Sequence, residues 1–328
     1  MRIETFTKSE QLPNLIEGSP LHSVLMFRSQ ERTKGNKPYM LVAYDTENKE
    51  LGHILVIRQS GFRLFPHLFS IWYTINGEGV YREGYHNKEA VFEKFIEKVF
   101  ELFDIRHSFI RVENIEDSRF AYGILRSKDF AQIRDQRMYI SLHSKDPQTR
   151  LTRAYRAHIR KAESRGVTYQ RATEQKEIDE GLQLLYNYYI SKTRRRLPSK
   201  NILNMMLHEN DGTLSEKAKL FIVKHKEKII GSSLCLYDNE RAYLAYTCGL
   251  RKSHPMQYPG IMAIWAALND AYKHGFPHFE FLEARALSSL HKRFLKTLLN
   301  YGVKEKGTLR WYRYRWSWVN KFLRAIYV

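Results

Sequence analysis

Residues 242–274 read AYLAYTCGLRKSHPMQYPGIMAIWAALNDAYKH, and this stretch decides the fold. Its first nine residues are a short apolar run, the pattern of a buried strand. Residues 260–274 then set Ile261, Ile264, Trp265 and Leu268 on one face, the period of an amphipathic helix. Between the two runs lies a polar turn ending in Gln257-Tyr258-Pro259-Gly260. A strand that feeds through a glycine into a helix start offers backbone N–H groups and the positive end of the helix dipole to an anion. Gln257, Pro259, Gly260 and Ile261 are therefore candidate anion-binding residues. The same string also reads as a Pro–Gly turn that simply opens a helix.

Working outward, Lys219–His225 and Ile229–Tyr237 flank KEK as a hairpin, and Phe279–Leu282 reads as a short strand. Ser289–Leu299 reads as a helix, and 308–318 alternates as a last strand. The first half has the same order. Tyr39–Tyr44 and Leu51–Arg58 flank DTENKE, residues 68–75 form a strand, and 88–103 carries Val91, Phe92, Phe95, Ile96, Val99 and Phe100 at helical spacing. Ser108–Val112 and 134–142 follow as strands. Strands alternating with helices define an α/β class with α+β layering. The repeated order predicts two lobes, 1–149 and 150–328, each a mixed sheet flanked by helices.

At 328 residues, 43% hydrophobic and 13% aromatic, the chain is long and apolar enough for packed cores and excludes intrinsic disorder. Cys235 and Cys248 are its two cysteines, and no His/Cys cluster has metal-ligand spacing. A disulfide scaffold is excluded, and neither a metal nor a bound cofactor is expected. The polar start MRIETFTKSEQL lacks a secretory h-region, and no apolar run reaches about 18 residues, so no transmembrane helix is expected. The expected location is the cytoplasm, with room for peripheral contact at the inner membrane face.

Net charge is +19, from 54 basic and 35 acidic residues. Residues 1–150 hold 22 basic and 20 acidic residues; 151–328 hold 32 and 15. Such asymmetry predicts a polyanionic partner for the second half, either a nucleic acid, a nucleotide-linked substrate or an anionic membrane surface.

Four further features bear on chemistry. The basic stretch 150–165 places Arg153, Arg156 and Arg160 on one helical face, with Lys161 beside them. Guanidiniums in a row suit phosphate, and a solvated connecting helix is the alternative. Lys296, in FLKTLLNYG at 294–302, is an ammonium among apolar residues. It is placed either to stabilise an oxyanion or to lay its stem on the core. Glu280 and Glu283 are candidate general bases in a half poor in acids, or else surface or ion-paired glutamates. The terminal KEKGTLRWYRYRWSWVNKFLRAIYV, 304–328, sets Tyr312, Tyr314, Trp316 and Trp318 on one face of a strand and Trp311, Arg313 and Arg315 on the other. Aromatics beside arginines suit nucleic-acid stacking, a membrane interface through 311–328, or a core face.

The order of these motifs resembles the tandem GNAT-like proteins of the Fem-type aminoacyltransferase and CelD/BioF-type acetyltransferase group. The resemblance rests on Arg156, Ile159, Arg160, Lys161, Ala162, Gly166 and Val167, then the tyrosine-rich strand, Pro259-Gly260, Trp265, Ala271 and Gly275. The Leu295-Lys296-x-x-Leu-x-x-Gly302 segment completes it. It spans about 150–305, and 1–149 fits by element order. It implies two GNAT-like lobes with the active cleft at the second. It further implies transfer of an acyl or aminoacyl group, from acyl-CoA or aminoacyl-tRNA as co-substrate, to an amine of a peptidoglycan-type or lipid-linked precursor. By this resemblance Lys296 lies near the reacting carbonyl, with Leu295 where the family has phenylalanine. Gln257 to Met262 corresponds to the pyrophosphate loop, with Met262 replacing a small residue. The alternatives are an acetyl-CoA-dependent acetyltransferase of a small molecule or sugar, and a non-catalytic RNA-binding protein.

Overall fold

The computed structural model describes residues 1–60, 71–102, 108–113, 115–143, 145–193, 197–209, 211–282 and 289–327, with backbone alone at 108, 192–193, 289–293, 323–324 and 326–327. Two compact units form: Met1–Gln136 with Gly307–Val328, and Arg137–Lys306.

The first unit begins with β1 (Arg2–Phe6), α1 (Val24–Glu31), β2 (Asn36–Tyr44), β3 (Glu50–Ser60) and β4 (Ile71–Asn76). There follow β5 (Val80–Tyr81), α2 (Lys88–Leu102), β6 (Ser108–Glu113), α3 (Tyr122–Ser127) and β7 (Ala131–Ser141). Strands β1 to β4 pair antiparallel in sequence order, and β4 pairs β6 in parallel. Helix α2 packs Phe92, Phe95, Ile96 and Val99 on one sheet face against Ile54, Val56, Tyr73, Ile110 and Val112. Phe27 of α1 meets Met40, Val42, Leu55 and Ile57 on the other. Burial on both faces explains why β2 and β3 read as unbroken apolar runs rather than alternating ones.

The second unit takes residues 137–141 of β7 and then α4 (Pro147–Arg150), α5 (Arg153–Glu163), β8 (Val167–Arg171), α6 (Gln175–Tyr188) and α7 (Lys200–Met206). It continues with β9 (Ala218–His225), β10 (Lys228–Tyr237), β11 (Arg241–Gly249), α8 (Pro259–Lys273), β12 (His278–Phe281) and α9 (Ser289–Leu299). Its strand order is β7-β12-β11-β10-β9-β8, with β11 and β12 parallel. Helix α8 is apolar nearly all round, so Met262, Ile264, Trp265, Ala267 and Leu268 are buried with Ile159 of α5 and Leu298 of α9. Helix α6 covers the opposite face, where Gly181 lies against Leu220 and Ile222.

The chain then runs through β13 (Lys304–Tyr314), whose residues 311–314 pair antiparallel with β6, into α10 (Ser317–Tyr327). Both repeats therefore follow one order: strand, helix, hairpin, strand, long helix, parallel strand, helix, strand. Each repeat's last strand contributes to the other unit's sheet, β7 beside β12 and β13 beside β6. The sequence divides the chain at 149/150, whereas compactness places 137–149 in the second unit and 307–328 in the first.

Two local differences from the sequence reading have clear causes. The basic helix is broken at Leu151, which is extended; Thr152 caps the new start by accepting from the Tyr155 N–H (3.4 Å). The last strand stops at Tyr314 because Asn320 takes over its ladder partners, accepting from the Tyr314 N–H (2.7 Å) and donating to its carbonyl (2.8 Å). Trp316 and Trp318 thus leave the strand. Trp311 is 1% exposed in the first unit's core, while Tyr312 and Tyr314 pack against Phe109.

Candidate functional site

Strand β11 pairs β12 from Arg241↔His278 to Leu244↔Phe281, closed by the Leu282 N–H donating to the Leu244 carbonyl (3.1 Å). Pairing with β12 stops there, although β11 continues to Gly249. At that point the register with β10 also slips: Leu234 opposes Tyr246 and Cys235 opposes Leu244, so Ala245 is an extra residue. A bulge bends its strand and sharpens the local twist. Among the described residues this stretch has no strand beside it on that side. The Thr247 N–H donates to the buried Tyr189 hydroxyl (3.3 Å), and Thr247 Oγ1 is buried without a partner.

At the end of β11 the chain turns through Pro255–Gln257 to Tyr258, whose left-handed backbone (φ 48°) is held by stacking on His158 (ring centroids 4.2 Å). Pro259 opens α8, where its missing N–H costs nothing. The helix start rests directly on the sheet. A Cβ at Gly249 would lie 2.3 Å from the Gly260 nitrogen, and one at Gly231 would lie 2.7 Å from the Pro259 carbonyl oxygen. Only glycines permit that approach. Gly260 is different: a Cβ there meets nothing within 4 Å. Met262 is fully buried, so its length does not fill the space before the helix. Gln257 lies in the turn that precedes the helix, and Ile261 presents its carbonyl to the Tyr301 hydroxyl (2.9 Å).

Helix α5 flanks this junction. Besides the His158–Tyr258 stack, Arg165 just beyond its end donates to the Met256 carbonyl (2.7 Å). Arg153, Arg160 and Lys161 are exposed and Arg156 is half-buried; none makes an ion pair among the described residues. Thr152 binds Asn300 at the far end of α9 (3.1 Å), which brings α9 to the same place. Lys296 is exposed on α9 and likewise has no ion pair among the described residues.

Glu280 lies elsewhere, on β12. Its register partners are Tyr243 and Tyr139, and both its oxygens bind the buried Arg137 (Nε–Oε1 2.7 Å). Tyr243 donates to Asp238 (2.8 Å), and burial pushes both groups' pKa values up. Glu283 lies outside the described residues. Neither cysteine offers a thiolate: burial pushes Cys248 up to about 12 and Cys235 well above its usual value. No group of three or more metal-ligating side chains occurs among the described residues, and none of their helices is long and apolar enough to cross a membrane.

The structure thus gathers Gln257, Pro259, Gly260 and Ile261 beside His158 and Arg165, while Arg153, Arg156 and Arg160 take the face of α5 turned away from His158. It places Glu280 at the other end of β11. The bulge at Ala245, the glycine pair and Tyr189 were missed in sequence. Gly231 and Gly249 carried a readable signal, since glycine inside a strand marks a close backbone approach.

A bulged strand beside a parallel neighbour, with a helix start seated at its end, is the arrangement of a GNAT-type fold. Residues 149–292 match the acetyltransferase (GNAT) domain family. No curated protein matches the chain in sequence. In fold it is similar to FemX (TM-score 0.68, 11% identity, 99% of each chain). It is also similar to the C-terminal domain of a putative lysylphosphatidylglycerol synthetase from Agrobacterium fabrum (0.58, 8%, 93% of this chain and 91% of that one). A tandem GNAT protein from the clavulanic acid biosynthesis pathway aligns over 95% of this chain and 98% of its own (0.51, 10%). Residues 149–292 thus carry the GNAT domain match, and the chain as a whole shares its fold with FemX and with a tandem GNAT protein.

Proposed function

We propose that the second unit transfers an acyl or aminoacyl group to an amine of a cell-envelope precursor, peptidoglycan-type or lipid-linked. The donor is acyl-CoA or aminoacyl-tRNA. The observation that carries this reading is the bulge of β11 at Ala245 followed by an α8 start that rests on Gly249 and is open at Gly260. The donor's phosphates lie against the first N–H groups of α8, beside Arg165. Its acyl arm runs along 245–249 towards the bulge. The acceptor amine attacks the carbonyl carbon, a C–N bond forms and the π pair moves to oxygen. Collapse then breaks the thioester C–S or ester C–O bond, and the amine proton leaves to a base.

Lys296 stabilises the oxyanion, and Glu283 is the proton acceptor. Glu280, tied to Arg137, positions the strand edge. Two neighbours of the fold, FemX and the putative lysylphosphatidylglycerol synthetase, support an envelope acceptor. The unpaired cations of α5 favour a large polyanionic donor, which is the tRNA form of this reading.

Calorimetric titration with acetyl-CoA at physiological salt is the first test, because nonspecific attraction to the basic surface is screened there. Saturable binding assigns acyl-CoA. No binding, together with transfer from charged tRNA, assigns the aminoacyl donor. RNA binding with transfer from neither donor replaces the enzyme by an RNA-binding protein.

A further inference from the structure

Helix α10 is built inside out. Its Asn320 is buried, held by Tyr314 and by Asp129 (3.1 Å), while Trp318 is 69% and Phe322 60% exposed. Residues 318, 322 and 325 share one face at helical spacing, and 320 lies opposite. Trp318, Phe322 and Ala325 are all exposed, with Lys321 beside them. A surface helix ordinarily turns its aromatics inward and its amide outward. Here the hydrogen bonds of Asn320 fix the helix so that the aromatics must face out. These two are the most exposed of the large apolar side chains described.

The charge around them is one-signed. Residues 307–328 contain five basic residues and no acidic one. Two of the five are used internally: Arg310 pairs with Glu113 and Asp135, and Arg313 lies over the Phe100 ring and donates to the Lys128 carbonyl. Arg315 and Lys321 are exposed and make no ion pair among the described residues. Aromatics flanked by free cations on a helix face match the chemistry of an anionic bilayer surface: apolar rings enter the headgroup boundary and the cations meet lipid phosphates.

We propose that α10 docks the protein on anionic membrane through Trp318 and Phe322, with Arg315 and Lys321 selecting the charge. The surface belongs to the first unit, so the proposal stands independently of the acyl-transfer reading. It places the contact on α10 rather than on the aromatic strand before it.

The test is co-sedimentation of the full chain with phosphatidylglycerol/phosphatidylcholine vesicles and with pure phosphatidylcholine vesicles. The wild type pellets with the anionic vesicles. Trp318→Ala with Phe322→Ala lowers that partitioning by about tenfold or more, and both side chains are exposed enough to leave the unfolding midpoint unchanged. Arg315→Gln and Lys321→Gln each cost about fivefold on anionic vesicles and nothing on neutral ones. Equal pelleting of the wild type and the aromatic double variant overturns the proposal. So does a wild-type dimer that the double variant converts to monomer while neither binds vesicles, which assigns the face to a second copy of the chain. Loss of RNA binding in the double variant without any vesicle binding overturns it equally.

Discussion

The two units run the same elements to opposite ends at one junction. In the first, β4 pairs β6 over six consecutive residues, Ile71↔Ser108 to Asn76↔Glu113, and the ladder continues with the Gly77 N–H donating to the Glu113 carbonyl (2.7 Å). Its β3–β4 register has no slip, and the glycine of β3, Gly52, is pressed against β5 rather than against a helix start. In the second, β12 stays with β11 for four residues, the bulge at Ala245 follows, and α8 begins on Gly231 and Gly249. Charge divides the same way. The second unit holds 30 of the 54 basic and 16 of the 35 acidic residues, net +14, against +5 for the first. Lys128 of the first unit pairs with Glu93 and Glu97, whereas Arg153, Arg156, Arg160 and Lys161 of α5 make no ion pair among the described residues. The two copies of the fold thus differ at the same junction in pairing, in register and in what their glycines touch.

The strongest way to break the contrast is to remove the clamp that ends the β11–β12 ladder. Arg137→Met leaves the Glu280 carboxylate buried without its partner, and stability falls by about 3–5 kcal/mol, read from the denaturant midpoint. Adding Glu280→Leu restores most of it. No recovery in the double variant would show that the pair is not the clamp. Next is Lys296→Ala: the side chain is exposed, so the midpoint holds, while kcat falls about 10²–10³-fold if the ammonium faces the oxyanion. An unchanged kcat removes Lys296 from the site.

Gly249→Ala and Gly52→Ala then compare the copies directly, because each introduces a methyl closer than 3 Å to backbone atoms. Both lose about 1–3 kcal/mol, but only Gly249→Ala weakens donor binding. Equal binding losses would undo the distinction. A smaller difference is in pH. His22 of the first unit is buried, accepts from the Leu55 N–H (3.0 Å) and has its pKa lowered to about 3, by burial first and His53 second. The unfolded chain protonates near pH 6.5 and the folded one does not, so stability present above that pH is lost as pH falls. The loss between pH 6.5 and 5 is about 2 kcal/mol. His22→Gln flattens that limb; an unchanged slope assigns it to other groups.

The repeated order of hairpin, strand, long helix and short strand was legible because each element keeps its own period, from the α2 face to the strand at 242–250. The tandem GNAT resemblance rested on the same order. What was not legible depended on pairing across long separations. That β7 serves β12, and β13 serves β6, follows from sheet closure and has no local signature. Asn320 ended the last strand through bonds six residues back, which alternation in 308–318 concealed. A bulge at Ala245 is invisible in AYLAYTCGL because it exists only relative to β10 and β12. Glu280 stayed open between general base and ion-paired glutamate because its partner, Arg137, is 143 residues away.

Gly260→Ala gives the smallest effect and separates most cleanly the two uses of glycine at the junction. Gly249 and Gly231 are glycines because protein backbone occupies the place of their Cβ; Gly260 has open space there. Its φ is not among the positive ones, so alanine fits the first turn of α8 and stabilises by about 0.4–1 kcal/mol through the unfolded state. If the donor's phosphates approach the helix start, that methyl stands between them and the N–H groups, and donor affinity falls about tenfold, about 1.4 kcal/mol. Gly249→Ala and Gly260→Ala should thus agree in weakening binding and disagree in the sign of their stability change. A stabilised Gly260→Ala protein with wild-type donor affinity would mean that the space before α8 is not where the donor sits, and would leave the bulge of β11 as the remaining mark of the second unit.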